Sequence, residues 1–134
     1  MKLQILGSGT STGVPEIGCI CAVCTSNDAR DKRLRTSALL HTDNEHILID
    51  CGPDFREQML RLDTFHKLDA VLVTHEHYDH VGGIDDLRPF CKFGEIPVVA
   101  DNYAATHLKE RMPYCFGENL YPGVPRIYLQ VATP

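Results

Sequence analysis

Several features that define other protein classes are missing from this chain of 134 residues. No stretch reaches the roughly 20 consecutive apolar residues that a membrane-spanning helix needs, so no membrane association is expected. Positive charge is not in excess: the net charge of −5 argues against a broad basic face, and nucleic acid is not expected as a partner. The apolar start of the chain breaks at Gly7, too early for a secretory signal. We therefore predict a cytoplasmic protein.

Six cysteines are many for a chain of this length, and three of them fall within residues 19–24. Without a secretory signal we expect a reducing compartment, in which thiols act as metal ligands or core side chains and not as disulfides. Cys19, Cys21 and Cys24 are too close in sequence to pair comfortably, but they are spaced to surround one structural zinc ion. The alternative is a cysteine-rich turn with free thiols. Small buried side chains are expected at Cys51, Cys91 and Cys115.

Hydrophobic periodicity predicts an α/β (α+β) fold, a mixed β-sheet covered by helices, in one domain spanning residues 1–134. Strands are expected at 2–6, 37–40, 46–50, 68–74, 96–100 and 127–131. Helices are expected at 54–63 and 102–111, with one helical turn at 85–88. The first helix should begin with a capping box made by Asp54 and Glu57. The strand at 68–74 is mostly apolar, which favours burial on both faces.

A cluster of potential metal ligands directly follows the strand at 68–74. Its members are His75, His77, Asp79 and His80. Neutral imidazole and carboxylate are ligands for Zn, Mn and Fe, and strand ends in α/β folds are where sites are built. His75 and His77 are two residues apart, so in extended backbone they point to one side and can share one ion. Asp79 and His80 can serve a second ion after the loop turns, while glycines 82 and 83 let the backbone pass close by.

A polar surface loop is the alternative interpretation of these histidines, but their order is also that of a known family. The segment His75-x-His77-x-Asp79-His80 resembles the metal motif of the metallo-β-lactamase superfamily, and residues 48–52 resemble its earlier acidic motif. Residues 7–15, the clustered cysteines and residues 85–90 more narrowly resemble the phosphoribosyl cyclic phosphate phosphodiesterase branch. A pyrroloquinoline-quinone biosynthesis branch has a similar cysteine cluster, and a tRNA 3′-processing branch shares the histidine motif.

The resemblance implies an αββα sandwich, of which this chain is expected to be the N-terminal half, truncated on its C-terminal side. It also implies a metal-dependent hydrolase in which two divalent ions, Zn or Mn, activate a hydroxide that attacks a phosphodiester such as a cyclic phosphate. Asp79 and His80 would then be catalytic as well as ligands, and Asp50 would orient the metal loop. A helix-entry turn residue is the alternative for Asp50. Alternative functions are hydrolysis of an RNA 3′ end or a (thio)ester, and a non-catalytic metal-binding module.

The resemblance also bears on the remaining ligands and on partners. It implies that a histidine from the C-terminal part completes the structural zinc site on the cysteines. Arg88 is the candidate to bind a small-molecule phosphodiester substrate, whereas the basic residues between 30 and 35 are expected to form a solvated face. His107 is expected on the surface, so each active-site ion would find at most two ligands here. An apolar sheet face would stay exposed, and we expect a homodimer through that face or through residues 127–131.

Overall fold

A computed structural model describes residues 1–133 of the chain. In this part of the chain six strands form one mixed sheet, and their order in the sheet is their order in the sequence. The strands are β1 (Lys2–Gly7), β2 (Ser37–His41), β3 (His46–Ile49), β4 (Ala70–Leu72), β5 (Ile96–Ala100) and β6 (Ile127–Val131). The first three strands pair antiparallel, and the last four run parallel. The predicted α/β class with a mixed sheet is confirmed.

Helices connect the parallel strands. They are α1 (Phe55–Leu60), α2 (Tyr78–Val81) and α3 (Asn102–Arg111), with 3₁₀ helices at Ala29–Asp31, Ile84–Phe93 and Pro113–Cys115. The single turn predicted at 85–88 is thus part of a longer 3₁₀ helix that includes Pro89. None of the helices in residues 1–133 has the length and apolarity needed to span a bilayer.

The predicted capping box at the start of α1 is wrong. The side chain of Asp54 makes no capping hydrogen bond. Its two carboxylate oxygens instead accept hydrogen bonds from the backbone N–H and the guanidinium of Arg35, at 2.8 and 2.7 Å. Since Arg35 is also largely shielded from solvent, it does not belong to the solvated basic face that we expected.

The core lies between one face of the sheet and the helices. This face carries side chains that are at most 2% exposed, namely Leu39, Leu48, Val71 and Val98. Phe55 of α1 and Leu108 of α3 are buried in the same core. The prediction for the three isolated cysteines is confirmed, because all of them are buried.

The opposite face of the sheet is apolar and open. Cross-strand partners form a continuous row on it: Ile5, Ala38, Ile49, Leu72 and Val99. Ile5 is 61% exposed and Leu72 is 36% exposed. The prediction that the strand at 68–74 is buried on both faces is therefore wrong, because β4 is short and only its Val71 side is covered.

Candidate metal centre

The predicted metal ligands lie after β4 in residues 75–80, a segment that we call the histidine loop and whose last three residues begin α2. Since β3 and β4 are parallel, their carboxyl ends meet at one edge of the sheet. Asp50 follows β3 and Thr74 follows β4 at this edge. The backbone N–H of Asp50 donates to the carbonyl of Leu72 at 2.8 Å, which holds the two strand ends together beside the loop.

Asp50 is the buried anchor of the site, with only 2% of its surface exposed. Its carboxylate accepts hydrogen bonds from the backbone N–H of Thr74 at 2.8 Å and from the Thr74 hydroxyl at 2.9 Å. The Nδ1 atom of His80 lies 2.7 Å from Oδ2 of the same Asp50 carboxylate. A histidine whose Nδ1–H donates to a carboxylate keeps the lone pair of Nε2 free for a metal ion. Asp50 therefore has the contacts that the predicted orienting role requires.

The free nitrogen of His80 faces a second ligand atom. His80 Nε2 lies 3.1 Å from Oδ2 of Asp79. Two ligands with bonds of about 2.0–2.1 Å to one tetrahedral or octahedral ion are separated by roughly 3 Å. Both side chains are largely shielded from solvent, with 15% and 19% exposed. The donor set of Asp79 and His80 thus fits one divalent ion.

His75 and His77 complete the cluster. The ring centroids of His75 and His80 are 4.0 Å apart, and those of His75 and His77 are 4.7 Å apart. The structure therefore brings the predicted ligands together on one loop. Within residues 1–133, however, no three of these loop donors lie within 4.8 Å of one another.

Two glycines allow the histidine loop to dock on the turn between β3 and α1. A Cβ atom on Gly52 would lie 2.0 Å from the carbonyl oxygen of Asp79, and one on Gly83 would lie 2.0 Å from that of Gly52. Backbone hydrogen bonds from Cys51 to His80 and from Gly83 to Cys51, at 2.8 and 2.9 Å, hold this contact. The close backbone passage predicted for glycines 82 and 83 is present at Gly83, and Gly52 is its unpredicted counterpart.

Sequence reasoning missed two residues that hold the loop. Thr74 joins Asp50 to His75, because its hydroxyl also lies 3.0 Å from Nδ1 of His75. Arg111, at the end of α3, donates to the carbonyl of Glu76 at 3.0 Å. A threonine before the motif was visible in the sequence, but its contact with a carboxylate 24 residues away was not.

The structure does not bring Arg88 to the histidine loop. Within residues 1–133 no hydrogen bond or ion pair joins the two, and Arg88 Nε donates to the carbonyl of Asp85 at 2.9 Å. Arg88 lines an open cavity of about 530 Å³ together with Lys92 and Arg126. Substrate binding by Arg88 stays a prediction. His107 is only partly exposed, with Nδ1 2.9 Å from the carbonyl of Tyr103 in the same helix.

The clustered cysteines form a second candidate site in residues 19–24, which we call the cysteine loop. The sulfur atoms of Cys19, Cys21 and Cys24 all lie within 4.8 Å of one another. Hydrogen bonding, chiefly from the backbone N–H of Cys24, lowers the pKa of the Cys21 thiol to about 7. Thiolates at this spacing are ligands that suit zinc, and a structural zinc site needs one more ligand than this loop supplies.

Comparison with known proteins places the chain in a family. Residues 45–132 match the family model described as the beta-lactamase superfamily domain. The chain belongs to this superfamily. The matched segment contains both Asp50 and the complete histidine loop.

Sequence relatives carry different names. The chain is 53% identical over 135 residues to an octanoyltransferase of Porphyromonas gingivalis, a match that covers 100% of this chain and 27% of that protein. It is 33% identical over 121 residues to coenzyme PQQ synthesis protein B of Methylorubrum extorquens, covering 76% of this chain and 40% of that protein. The chain therefore spans well under half the length of these relatives.

Solved structures agree on the fold. A diphosphatase from the PhnP family is 41% identical with a TM-score of 0.85, and the match covers 98% of this chain and 50% of that chain. Zn²⁺-bound PqqB from Methylobacterium extorquens is 24% identical with a TM-score of 0.76, covering 98% of this chain and 46% of that chain. The second likeness concerns the fold alone. The resemblance to the metallo-β-lactamase superfamily is confirmed.

Proposed function

We propose that the histidine loop belongs to a metal-dependent hydrolase that cleaves a phosphodiester, such as a cyclic phosphate. The observation that carries this proposal is the arrangement of Asp50, His80 and Asp79, in which a buried carboxylate fixes the imidazole and leaves Nε2 3.1 Å from a second ligand atom. A further support is the 41% identical structure, which is described as a diphosphatase and therefore also acts at phosphorus.

Each side chain has a defined task in this proposal. His75 and His77 would hold one ion, and Asp79 and His80 the other. Two bound ions, Zn or Mn, would polarise phosphoryl oxygens and lower the pKa of a bound water toward about 7. Asp50 holds His80 in the tautomer that ligates, and Thr74 holds Asp50 in place. Arg88 is proposed to bind the phosphate of the substrate.

The cysteine loop is proposed to bind one structural zinc ion. The close approach of the three sulfur atoms supports this, as does the low pKa of Cys21, which makes a thiolate available near neutral pH. Its task would be to hold the loop formed by residues 13–24, with a fourth ligand from outside the cysteine loop.

The open sheet face is a candidate contact surface for another layer or another chain. Leu3 and Ile5 are 55% and 61% exposed, and contiguous apolar surface of this kind usually contacts another element or another chain. We propose that the other half of the sandwich or a second copy covers this face. Sedimentation of residues 1–134 alone should show a homodimer, and a monomer at high concentration would exclude the second copy.

The test of the hydrolase proposal combines metal content with turnover of bis(nitrophenyl) phosphate, a chromogenic phosphodiester. The assay uses the polypeptide at the length that its gene encodes, with residues 1–134 alone alongside and with Zn or Mn added. We expect residues 1–134 alone to be nearly inactive, because the histidine loop would supply only two ligands to each ion. His80→Ala should abolish turnover of the gene-length protein, and His107→Ala should not.

The alternatives give different outcomes in the same assay. Stoichiometric metal without turnover of any ester would support a non-catalytic metal-binding module. The acyl-transfer name of the 53% identical relative justifies a thioester among the test substrates. Turnover of the thioester, or of an RNA 3′ end, but not of the phosphodiester would overturn the proposed substrate class while leaving the metal centre intact.

A further inference from the structure

Three of the seven histidines lie together far from the histidine loop. They are His41 at the end of β2, His46 at the start of β3 and His66 in the segment after α1. His46 begins β3, whereas Asp50 follows its last residue, so the two sites are separated by the length of the strand, roughly 13 Å. This second histidine cluster has no task in the proposed hydrolase.

His41 and His46 face each other as direct cross-strand partners. Their Nδ1 atoms are 2.9 Å apart. Two imidazole nitrogens bound to one ion at about 2.0–2.1 Å are separated by roughly 3 Å, so the pair already has the spacing of two ligands on one ion. The same distance also fits a hydrogen bond in which the two nitrogens share one proton.

The surroundings of His41 suit a role as a metal ligand. Its Nε2 atom lies 3.1 Å from the side-chain oxygen of Gln4, an acceptor, so Nε2 carries the hydrogen and Nδ1 presents its lone pair to His46. A ligating histidine typically has such a partner on its other nitrogen. Burial, and then the nearby His46, Lys2 and His66, lower the pKa of His41, which favours the neutral ring that binds metal.

We propose that His41 and His46 form a second transition-metal site, in which both Nδ1 atoms ligate one imidazole-preferring divalent ion such as Zn²⁺ and water completes its coordination. When the ion binds, His46 changes tautomer: the hydrogen leaves Nδ1 and is carried by Nε2 of the same ring. Both imidazole rings therefore remain neutral. His66 does not converge on this site: its ring stacks on His46 at 4.6 Å, and its Nε2 lies 2.7 Å from the Thr64 hydroxyl. The ion would join β2 to β3 at the end of the sheet opposite to the histidine loop.

The test is a zinc titration of the full chain followed by NMR of the imidazole nitrogens, because each histidine is then observed separately from the other metal sites. We expect the Nδ1 resonances of His41 and His46 to shift together with one binding curve. His41→Asn should remove the shift at His46 and weaken zinc binding there at least about tenfold, and His107→Asn should leave it unchanged. His46→Asn provides the reciprocal variant if His41→Asn does not fold.

Two results would overturn the proposal. The first is that, at saturating zinc, the Nδ1 atoms of His41 and His46 still share one proton, so that one nitrogen is a donor and the other an acceptor. The other is an unchanged zinc-induced shift at His46 in His41→Asn, which would mean that the ion is not shared by the two rings. Neither result would bear on the histidine loop, so failure of this site is distinguishable from failure of the proposed hydrolase.

Discussion

The histidine loop and the cysteine loop hold their ligands by different means. The histidine loop is joined to the core by a carboxylate that is 2% exposed, by backbone bonds to the β3–α1 turn and by Arg111. The cysteine loop is held mainly by local backbone bonds, such as those from Cys19 to Glu16 and from Thr25 to Cys21. Its neighbouring apolar side chains are exposed, Ile17 by 100% and Ile20 by 89%.

This difference indicates what each ion does for the protein. In the histidine loop the buried Asp50 carboxylate holds His80 in place without an ion, which is the arrangement expected of a centre whose geometry serves chemistry. In the cysteine loop few contacts define the backbone, so a bound ion would itself supply the order, as in small zinc-stabilised units. This difference between the two loops can be tested with variants that remove either a contact holding the loop or a metal ligand.

The largest effect is expected from the glycine contacts under the histidine loop. Gly52→Ala would place a Cβ atom 2.0 Å from the carbonyl of Asp79, and that backbone cannot move without displacing the ligands. We expect a loss of about 3 kcal/mol in the free energy of unfolding, measured by urea denaturation. Gly117→Ala is the matched control, since its nearest neighbour would be 3.9 Å away. Equal stability of the two variants would mean that the loop is not docked as described.

The next effect is on metal affinity. Asp50→Asn keeps the size of the side chain but removes its charge, and asparagine tolerates the positive φ of 60° at this position. Zinc affinity at the histidine loop should fall by about 10- to 100-fold in competition with a chromophoric chelator, because His80 loses its orienting carboxylate. The cysteine loop should be unaffected. Asp43→Asn, in an exposed turn, should change neither site.

A smaller, local effect is expected from Cys21→Ser. One equivalent of tightly held zinc should be lost, and the melting temperature should fall by a few degrees. Limited proteolysis should then cleave within residues 13–24, while zinc binding at the histidine loop stays as in the unmodified chain. Unchanged zinc stoichiometry would contradict the proposed structural site.

The smallest effect concerns pH. Folding lowers the pKa of Cys21 from 9.0 to about 7 in the metal-free chain, chiefly through the backbone N–H of Cys24. This contribution to stability is therefore present above pH 9 and is lost as the pH falls through about 7. Alkylation of the metal-free chain by iodoacetamide should be half-maximal in rate near pH 7, and Cys21→Ser should remove this fast phase. Cys51 should resist alkylation, because burial raises the pKa of its thiol.

The helices and strands and the candidate metal ligands could be predicted from the local sequence. The predicted bounds of β5, α3 and β6 agree with the structure, because their periodicity and flanking residues are local signals. The histidine loop was found by residue type and spacing alone. These parts of the molecule are encoded over a few neighbouring residues.

The contacts that hold the site could not be predicted, because they join distant residues. The neighbours of Asp54 predict a helix cap, but the structure pairs Asp54 with Arg35, which is 19 residues away. Thr74 and Arg111 likewise act on partners outside their own segments. The resemblance predicts an exposed apolar sheet face, but the apolar sequence of residues 68–74 predicts burial on both faces, since an apolar strand sequence does not show whether a second layer is present.

The most direct test of the anchored metal centre is anomalous X-ray diffraction from a crystal of the zinc-loaded chain, recorded at the zinc absorption edge. We expect a zinc ion bonded to His80 Nε2 and Asp79 Oδ2, with His80 Nδ1 still 2.7 Å from the buried Asp50 carboxylate. An ion bonded to His80 through Nδ1, or no ion within bonding distance of the histidine loop, would contradict it.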